Sequence, residues 1–248
     1  MMGRKLEIDF PPHRIISLVP SQTELLFDLG LNNEVIACTS FCVHPSEKIS
    51  RITKIGGTKK LNIQKIKSLN PDLIIANKEE NQKDQVEVLA DFAPVWVSDI
   101  STVQESLSMI QQVGELCGKA NQAIELCKKI ELGFKSLPVY KGSVLYLIWR
   151  RPWMAAGTDT FISDILVRCG FENAIKKVRY PAFQNEDMAA INPDFVFLSS
   201  EPYPFTEKHI KEVEALFPNS IVKLVDGEMF SWYGSRIRYA PAYLKTLL

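Results

Sequence analysis

Leu69-Asn70-Pro71-Asp72-Leu73-Ile74-Ile75-Ala76 returns later in the chain as Ile191-Asn192-Pro193-Asp194-Phe195-Val196-Phe197-Leu198. In each copy an Asn-Pro-Asp turn ends a helix and opens a short unbroken apolar run, which reads as a buried strand. A second echo precedes each copy. Glu24-Leu25-Leu26-Phe27-Asp28-Leu29-Gly30-Leu31 and Ser163-Asp164-Ile165-Leu166-Val167-Arg168-Cys169-Gly170-Phe171 both read as an amphipathic helix closed by a glycine. Two echoes in the same order predict two related, Rossmann-like α/β lobes.

Between the echoes, Ser101 to Leu137 carries apolar residues at Val103, Leu107, Ile110, Val113, Cys117, Ala120, Ile124, Cys127, Ile130, Phe134 and Leu137. Steps of three and four place them on one helical stripe. Ser101 with Gln104, or Thr102 with Glu105, offers a capping box, and Pro138 stops the run. As one helix the segment is roughly 50 Å long, which predicts a rigid rod joining two lobes with a ligand cleft between them. Gly118-Lys119 is where such a rod kinks, or, on the alternative reading, where two ordinary helices turn. The expected organisation is an N-terminal lobe over residues 1–100, a helical segment over 101–138 that includes the inter-lobe helix, and a C-terminal lobe over 139–248.

The 248 residues are 46% hydrophobic, enough for a substantial core, and 29 basic side chains balance 29 acidic ones. That balance provides no global field for nucleic acid or an anionic membrane. No run approaches the roughly 18 apolar residues that span a bilayer. The start, Met1 to Phe10, has basic residues but places Glu7 and Asp9 where a signal peptide needs an apolar stretch, so the expectation is a cytoplasmic chain as encoded. Cys38, Cys42, Cys117, Cys127 and Cys169 form an odd set without framework spacing, which suits a reducing compartment.

Along the chain, Arg14 to Val19 reads as a strand, followed by a helix opened by a Ser21-x-x-Glu24 capping box. Strands are expected again at Glu34–Thr39, Asp72–Ala76, Val95–Val97, Gly142–Ile148 and Phe195–Leu198, alternating with helices. No Gly-x-Gly-x-x-Gly, Walker or Gly-x-Ser-x-Gly pattern occurs. The three histidines, His13, His44 and His209, are far apart, which leaves Cys42-Val43-His44 as a weak candidate for a soft metal and otherwise a loop segment. More distinctive are rings and guanidinium groups in expected loops: Trp149, Arg150, Arg151 and Trp153 after one strand, and Trp232, Tyr233 and Arg236 near the end. Such groups fit a surface that stacks on a flat or bulky partner, although any single tryptophan is as readily a core plug.

Arg14-Ile15-Ile16-Ser17-Leu18-Val19-Pro20-Ser21-Gln22-Thr23-Glu24, Asn62-Ile63 to Ile75, Gly157-Thr158-Asp159-Thr160 to Gly170, Asn192-Pro193-Asp194 and Ser235-Arg236-Ile237 together resemble a known family. It is that of the helical-backbone substrate-binding proteins of ABC importers for cobalamin, iron-siderophores and haem, nearest the cobalamin branch. The resemblance implies two α/β lobes bridged by a rigid helix, and a non-catalytic monomer that binds a bulky metal chelate such as a corrinoid. It implies no cofactor of the protein's own, a small-molecule ligand and an ABC permease as partners, no nucleic acid, and a family location that is periplasmic or lipid-anchored. Phe41 falls where the cobalamin binders have a stacking tyrosine, Glu228 and Arg236 fall near their cleft acid and arginine, and Thr58 and Asn77 replace tryptophans of their pocket. The expected ligand contacts are Ser21, Phe41, His44, Thr58 and Glu79 from the first lobe and Trp149, Arg150, Trp153, Phe183, Trp232, Tyr233 and Arg236 from the second. Glu186 matches one of two docking glutamates of the family; the other position is Thr53, among Arg51 and Lys54. The alternative is a cytosolic enzyme or sensor on the same scaffold, with Cys42, His44 and Glu79 as its chemical groups.

Overall fold

The computed structural model describes residues 7–184, 187–188 and 190–248. They form two compact units. One holds the chain up to Ile100, Gln104–Ile130 and Tyr233–Arg236; the other holds Ser101–Val103, Glu131–Trp232 and Ile237–Leu248.

The first unit is built on β1 (Ile15–Ser17), α1 (Pro20–Asp28), β2 (Val35–Cys38), α2 (Ser46–Ile49), β3 (Thr53–Lys54), the small hairpin β4 (Gly56–Gly57) and β5 (Lys60–Leu61), α3 (Ile63–Ser68), β6 (Leu73–Asn77), α4 (Lys83–Ala90) and β7 (Val95–Ser98). Its main sheet runs β3-β2-β1-β6-β7, all parallel. Every residue of β6 is buried, as a strand covered on both faces requires. Each buried Ile or Leu there contributes about 1.5–3 kcal/mol.

The second unit contains β8 (Ser143–Trp149), β9 (Trp153–Ala155), α7 (Phe161–Arg168), β10 (Glu172–Asn173), β11 (Ala182–Phe183), β12 (Phe195–Ser199), α8 (Glu207–Leu216), β13 (Ile221–Val225), α9 (Glu228–Ser231) and α10 (Ala240–Leu244). Its sheet runs β11-β9-β8-β12-β13, with β10 parallel to the start of β8 and β9 antiparallel to its end.

The sequence echo has a physical basis. In the first unit the Asp72 carboxylate accepts from the amides of His13 and Arg14, just ahead of β1, and β6 then pairs with β1. In the second, Asp194 accepts from the amide and hydroxyl of Ser143, the first residue of β8, and β12 pairs with β8. Each Asn-Pro-Asp turn thus fastens the start of the neighbouring strand as it launches its own. Gly30 and Gly170 close the paired helices at φ +90 and +83, a conformation that costs glycine least.

Three expectations are corrected. The stretch from Ser101 to Leu137 is not one rod but α5 (Val103–Leu116) and α6 (Ala120–Phe134), turned back at Gly118, φ +67. The Cys127 thiol lies 3.5 Å from the Leu107 carbonyl, and a side chain at Gly114 would meet Ala123, so the two helices lie antiparallel and close. Of the apolar stripe that promised a rod, Val103, Leu107, Ile110, Val113, Cys117, Cys127 and Ile130 are buried, while Ala120 and Ile124 are exposed. The amide of Val103, at the start of α5, donates to Asp164 at 2.8 Å. α6, only about 22 Å long at the helical rise, is held by the first unit through Ile130 and by the second from Glu131. Second, the Ser21–Glu24 capping box is not formed: Pro20 starts the helix after Val19, and Thr23 Oγ1 donates to the Val19 carbonyl at 2.8 Å. Third, Trp153 is not in a loop. It begins β9, returning along β8 through a tight turn in which Arg151 adopts φ +64.

Candidate functional site

In the first unit the polar groups gather at the carboxyl ends of parallel strands, the usual place for ligands in such sheets. The end of β6 is organised by Asn77, whose side chain donates to Ser98 and accepts from the amides of Glu79 and Glu80 at 2.8 and 3.1 Å. Asn81 returns the favour by accepting from the Asn77 amide and donating to the Thr58 carbonyl. These two asparagines fix the loop that carries Glu79, a role the sequence reading missed; their Asn-x-x-x-Asn spacing after an apolar strand was the available signal. Thr58 is buried, and Glu79, half-buried, accepts from Lys59 through its carbonyl. Burial pushes the neighbouring Glu80 carboxyl up, partly offset by Lys59.

After β2 the chain turns through Phe41, Cys42 and His44. The Phe41 ring is 61% exposed and lies against Gly57, where any side chain would crowd it. Cys42 faces inward, 1% exposed, with the hydroxyls of Thr23 and Thr39 at 3.1 and 3.3 Å. His44 is half-buried. Among the described residues no group of three or more His, Cys, Asp or Glu side chains is placed to hold a metal.

Ser21 is buried in α1, with its carbonyl against Gly234. The segment Tyr233–Arg236 belongs to this unit: Ser106 Oγ donates to the Tyr233 carbonyl, and the Tyr233 side chain is buried. Arg236, expected to reach a ligand, instead makes a two-point pair with Glu24, each contact 2.8 Å. The reason is proximity: its guanidinium finds a carboxylate that is itself almost buried. Burial holds the Glu24 carboxyl above its ordinary range, against the pull of Arg236. A hollow of about 430 Å³ in this unit, lined by Ile8, Phe10, Trp96, Gln112, Glu115 and Leu116, shares none of the strand-end residues.

In the second unit β8 ends at Trp149, 39% exposed. Its ring meets Tyr203 edge-on at 5.7 Å, Tyr203 meets Phe205 at 4.7 Å, and Phe205 lies parallel to Trp153 at 6.4 Å. His209 supports this ladder. Its Nδ1 accepts from the Thr206 amide at 2.9 Å, which places the ring proton on Nε2, 3.2 Å from the Tyr203 hydroxyl. Arg150 stands over Trp153 and donates to Glu212 at 2.7 and 3.2 Å. Tyr203, Phe205 and His209 were not among the expected site residues; Tyr-Pro-Phe directly after a buried strand, with His at the third helical position beyond, was the signal.

Trp153 and Phe183 are corrected from ligand-facing loops to the apolar cluster of this unit, packed with Leu147, Val196 and Phe205, because β9 and β11 pair and turn both rings inward. Trp232 is also buried, donating from Nε1 to Glu201 at 2.9 Å. Glu201 lies raised in pKa by burial, with Ser231 and Trp232 as donors opposing the shift and Glu228, at the start of α9, reinforcing it. Glu186 lies outside the described residues. Among the described residues no helix is long and apolar enough to cross a membrane.

A family model described as periplasmic binding protein matches residues 15–217. The chain is 25% identical over 197 residues to a vitamin B12-binding protein of Vibrio campbellii, covering 76% of this chain and 71% of that one. It is 27% identical over 199 residues to an ABC transporter substrate-binding lipoprotein of Bacillus subtilis, covering 75% of this chain and 63% of the lipoprotein. Its fold is similar to the crystal structure of a periplasmic haem-binding protein of Vibrio cholerae, with a TM-score of 0.76 at 22% identity, over 94% of this chain and 98% of that one.

Proposed function

The chain belongs to the periplasmic binding protein family, the substrate-binding proteins of ABC transport, and from that premise we propose that it captures a bulky, flat metal chelate of the corrinoid, haem or ferric-siderophore class. The family consists of binding proteins, so the alternative of an enzyme using Cys42, His44 and Glu79 is set aside. What supports a flat ligand is a ring left open at a strand end in each unit: Phe41 beyond β2 and Trp149 at the end of β8. An exposed ring offers a stacking face without the cost of ordering a flexible side chain. Glu79 supplies a polar contact beside Phe41's unit, and Arg150, Tyr203 and Glu212 supply them beside Trp149.

The metal arrives with the ligand and leaves with it. Delivery to an ABC permease accords with the family, and Glu186 is the proposed docking residue in the second half of the sequence. In the first, Arg51 and Lys54 around Thr53 offer positive charge where the resemblance places a glutamate.

Titration of the protein's tryptophan fluorescence with cyanocobalamin, haemin and a ferric hydroxamate tests the reading. One of the three is expected to quench saturably through Trp149. Absence of a saturable response to all three overturns it.

A further inference from the structure

Cys38 and Cys42 face one another beneath the Phe41 turn, and nothing in metal-chelate binding uses them. Cys42 Sγ is surrounded by the Thr23 and Thr39 hydroxyls at 3.1 and 3.3 Å and by the Cys38 thiol, which is hydrogen-bonded to it. Lys54 Nζ lies 3.4 Å from Cys38 Sγ and 3.2 Å from the Cys42 carbonyl. The Thr39 hydroxyl and the Cys38 thiol can each donate to Cys42 Sγ, the Thr23 hydrogen being held by the Val19 carbonyl, and with the ammonium group beside Cys38 they form a surrounding for negative charge, unlike the positions of Cys117 and Cys169, where burial dominates.

We infer that Cys38 and Cys42 are a redox-active pair, in which Cys42 attacks a small peroxide and Cys38 resolves the product as an intramolecular disulfide. The Cys42 thiol is lowered to about 7, chiefly by the hydrogen bond from Cys38, whose own thiol is raised by the same contact; burial pushes Cys117 and Cys169 up to about 12. In the first step the Cys42 thiolate forms a bond to one peroxide oxygen, the O–O bond breaks, and the departing hydroxide takes a proton to become water. Cys42 is then a sulfenic acid. In the second, Cys38 sulfur attacks Cys42 sulfur, the S–O bond breaks, and the hydroxyl leaves as water with the Cys38 proton. Two thiols are oxidised by two electrons and one peroxide is reduced to two waters. Lys54 stabilises the Cys38 thiolate that makes this attack, once the Cys38 proton has passed to the departing hydroxyl. Both cysteines are almost wholly buried, which excludes bulky disulfides as the oxidant.

The reduced full-length protein is exposed to hydrogen peroxide, unfolded in N-ethylmaleimide and digested with trypsin. Both cysteines fall on the fragment of residues 15–48. That fragment is expected to appear unalkylated and two hydrogens lighter, at a rate more than about tenfold above oxidation at Cys117, Cys127 or Cys169. Cys38→Ser is expected to stop at a Cys42 sulfenic acid that dimedone traps, and Lys54→Met to slow disulfide formation several-fold. Oxidation spread evenly over the five cysteines, or a 15–48 fragment that stays alkylated twice while others oxidise, overturns the inference without any variant having to fold.

Discussion

Arg236 and Glu24, 212 positions apart, meet through two hydrogen bonds of 2.8 Å inside the first unit, one from Nε and one from Nη2. The pair fastens the segment Tyr233–Arg236 to α1. Arg236→Ala leaves a nearly buried carboxylate without its counter-charge, and is expected to cost about 3 kcal/mol in urea unfolding, whereas Glu24→Gln with Arg236→Met together costs less than the single change. Because burial already raises the Glu24 carboxyl, its favourable contribution belongs to the protonated form and is lost as pH rises through the folded value. The loss in Arg236→Ala is therefore expected to be largest at pH 7–8 and to shrink as the medium is acidified towards the ordinary carboxylate range near pH 4–5. A loss that is independent of pH counts against the pair as the cause.

Trp149 is the exposed member of four tryptophans; Trp96, Trp153 and Trp232 are buried. Trp149→Phe is expected to remove most of the emission that acrylamide quenches. Trp149→Ala is expected to weaken chelate binding roughly 3- to 10-fold, the worth of one stacked ring, with a stability change of about 1 kcal/mol or less. A folded Trp149→Ala variant that keeps its affinity contradicts the assignment.

Asp194 accepts from Ser143 twice, and these bonds, the backbone one first, hold its carboxyl below the usual carboxylate range. A depressed folded value gives stability that is complete above the unfolded value and disappears as pH falls through the folded one. The melting temperature of Asp194→Ala is expected to lie below that of the unchanged protein at pH 7, with the gap closing below about pH 4. Asp72→Ala is expected to lower the melting temperature at pH 7 likewise, because it removes the corresponding tie to the start of β1.

Glu201 accepts from Ser231 and Trp232 through the same oxygen, while burial raises its carboxyl. Glutamine keeps an acceptor oxygen there and removes the buried charge. Glu201→Gln is expected to be as stable as the unchanged protein or more so by an amount on the order of 1 kcal/mol at pH 8. The advantage should fade on acidification, since the unchanged protein then protonates and recovers the same stability. A variant that is markedly less stable at pH 8 shows that the charge itself is required.

The sequence by itself determined the elements whose information is local. The Asn-Pro-Asp turns, the apolar runs of β6 and β12 and the glycines that close α1 and α7 are each written within a few residues, because turn chemistry and strand burial depend on near neighbours. The same patterns carried the two-unit α/β fold and the family. Tertiary structure decided what depends on partners distant in the chain. A single stripe of apolar residues could not distinguish a rod from a hairpin, since either buries most of it, and the positive φ of Gly118 with the close approach of Gly114 to Ala123 chose the hairpin. Trp153 and Trp149 are equally aromatic in sequence, but pairing of β9 with β8 and β11 turned one ring into the core and left the other in the open. Arg236 was legible as a cation near the end of the chain; that its charge is already matched inside the fold depended on Glu24, which only three-dimensional packing brought to it.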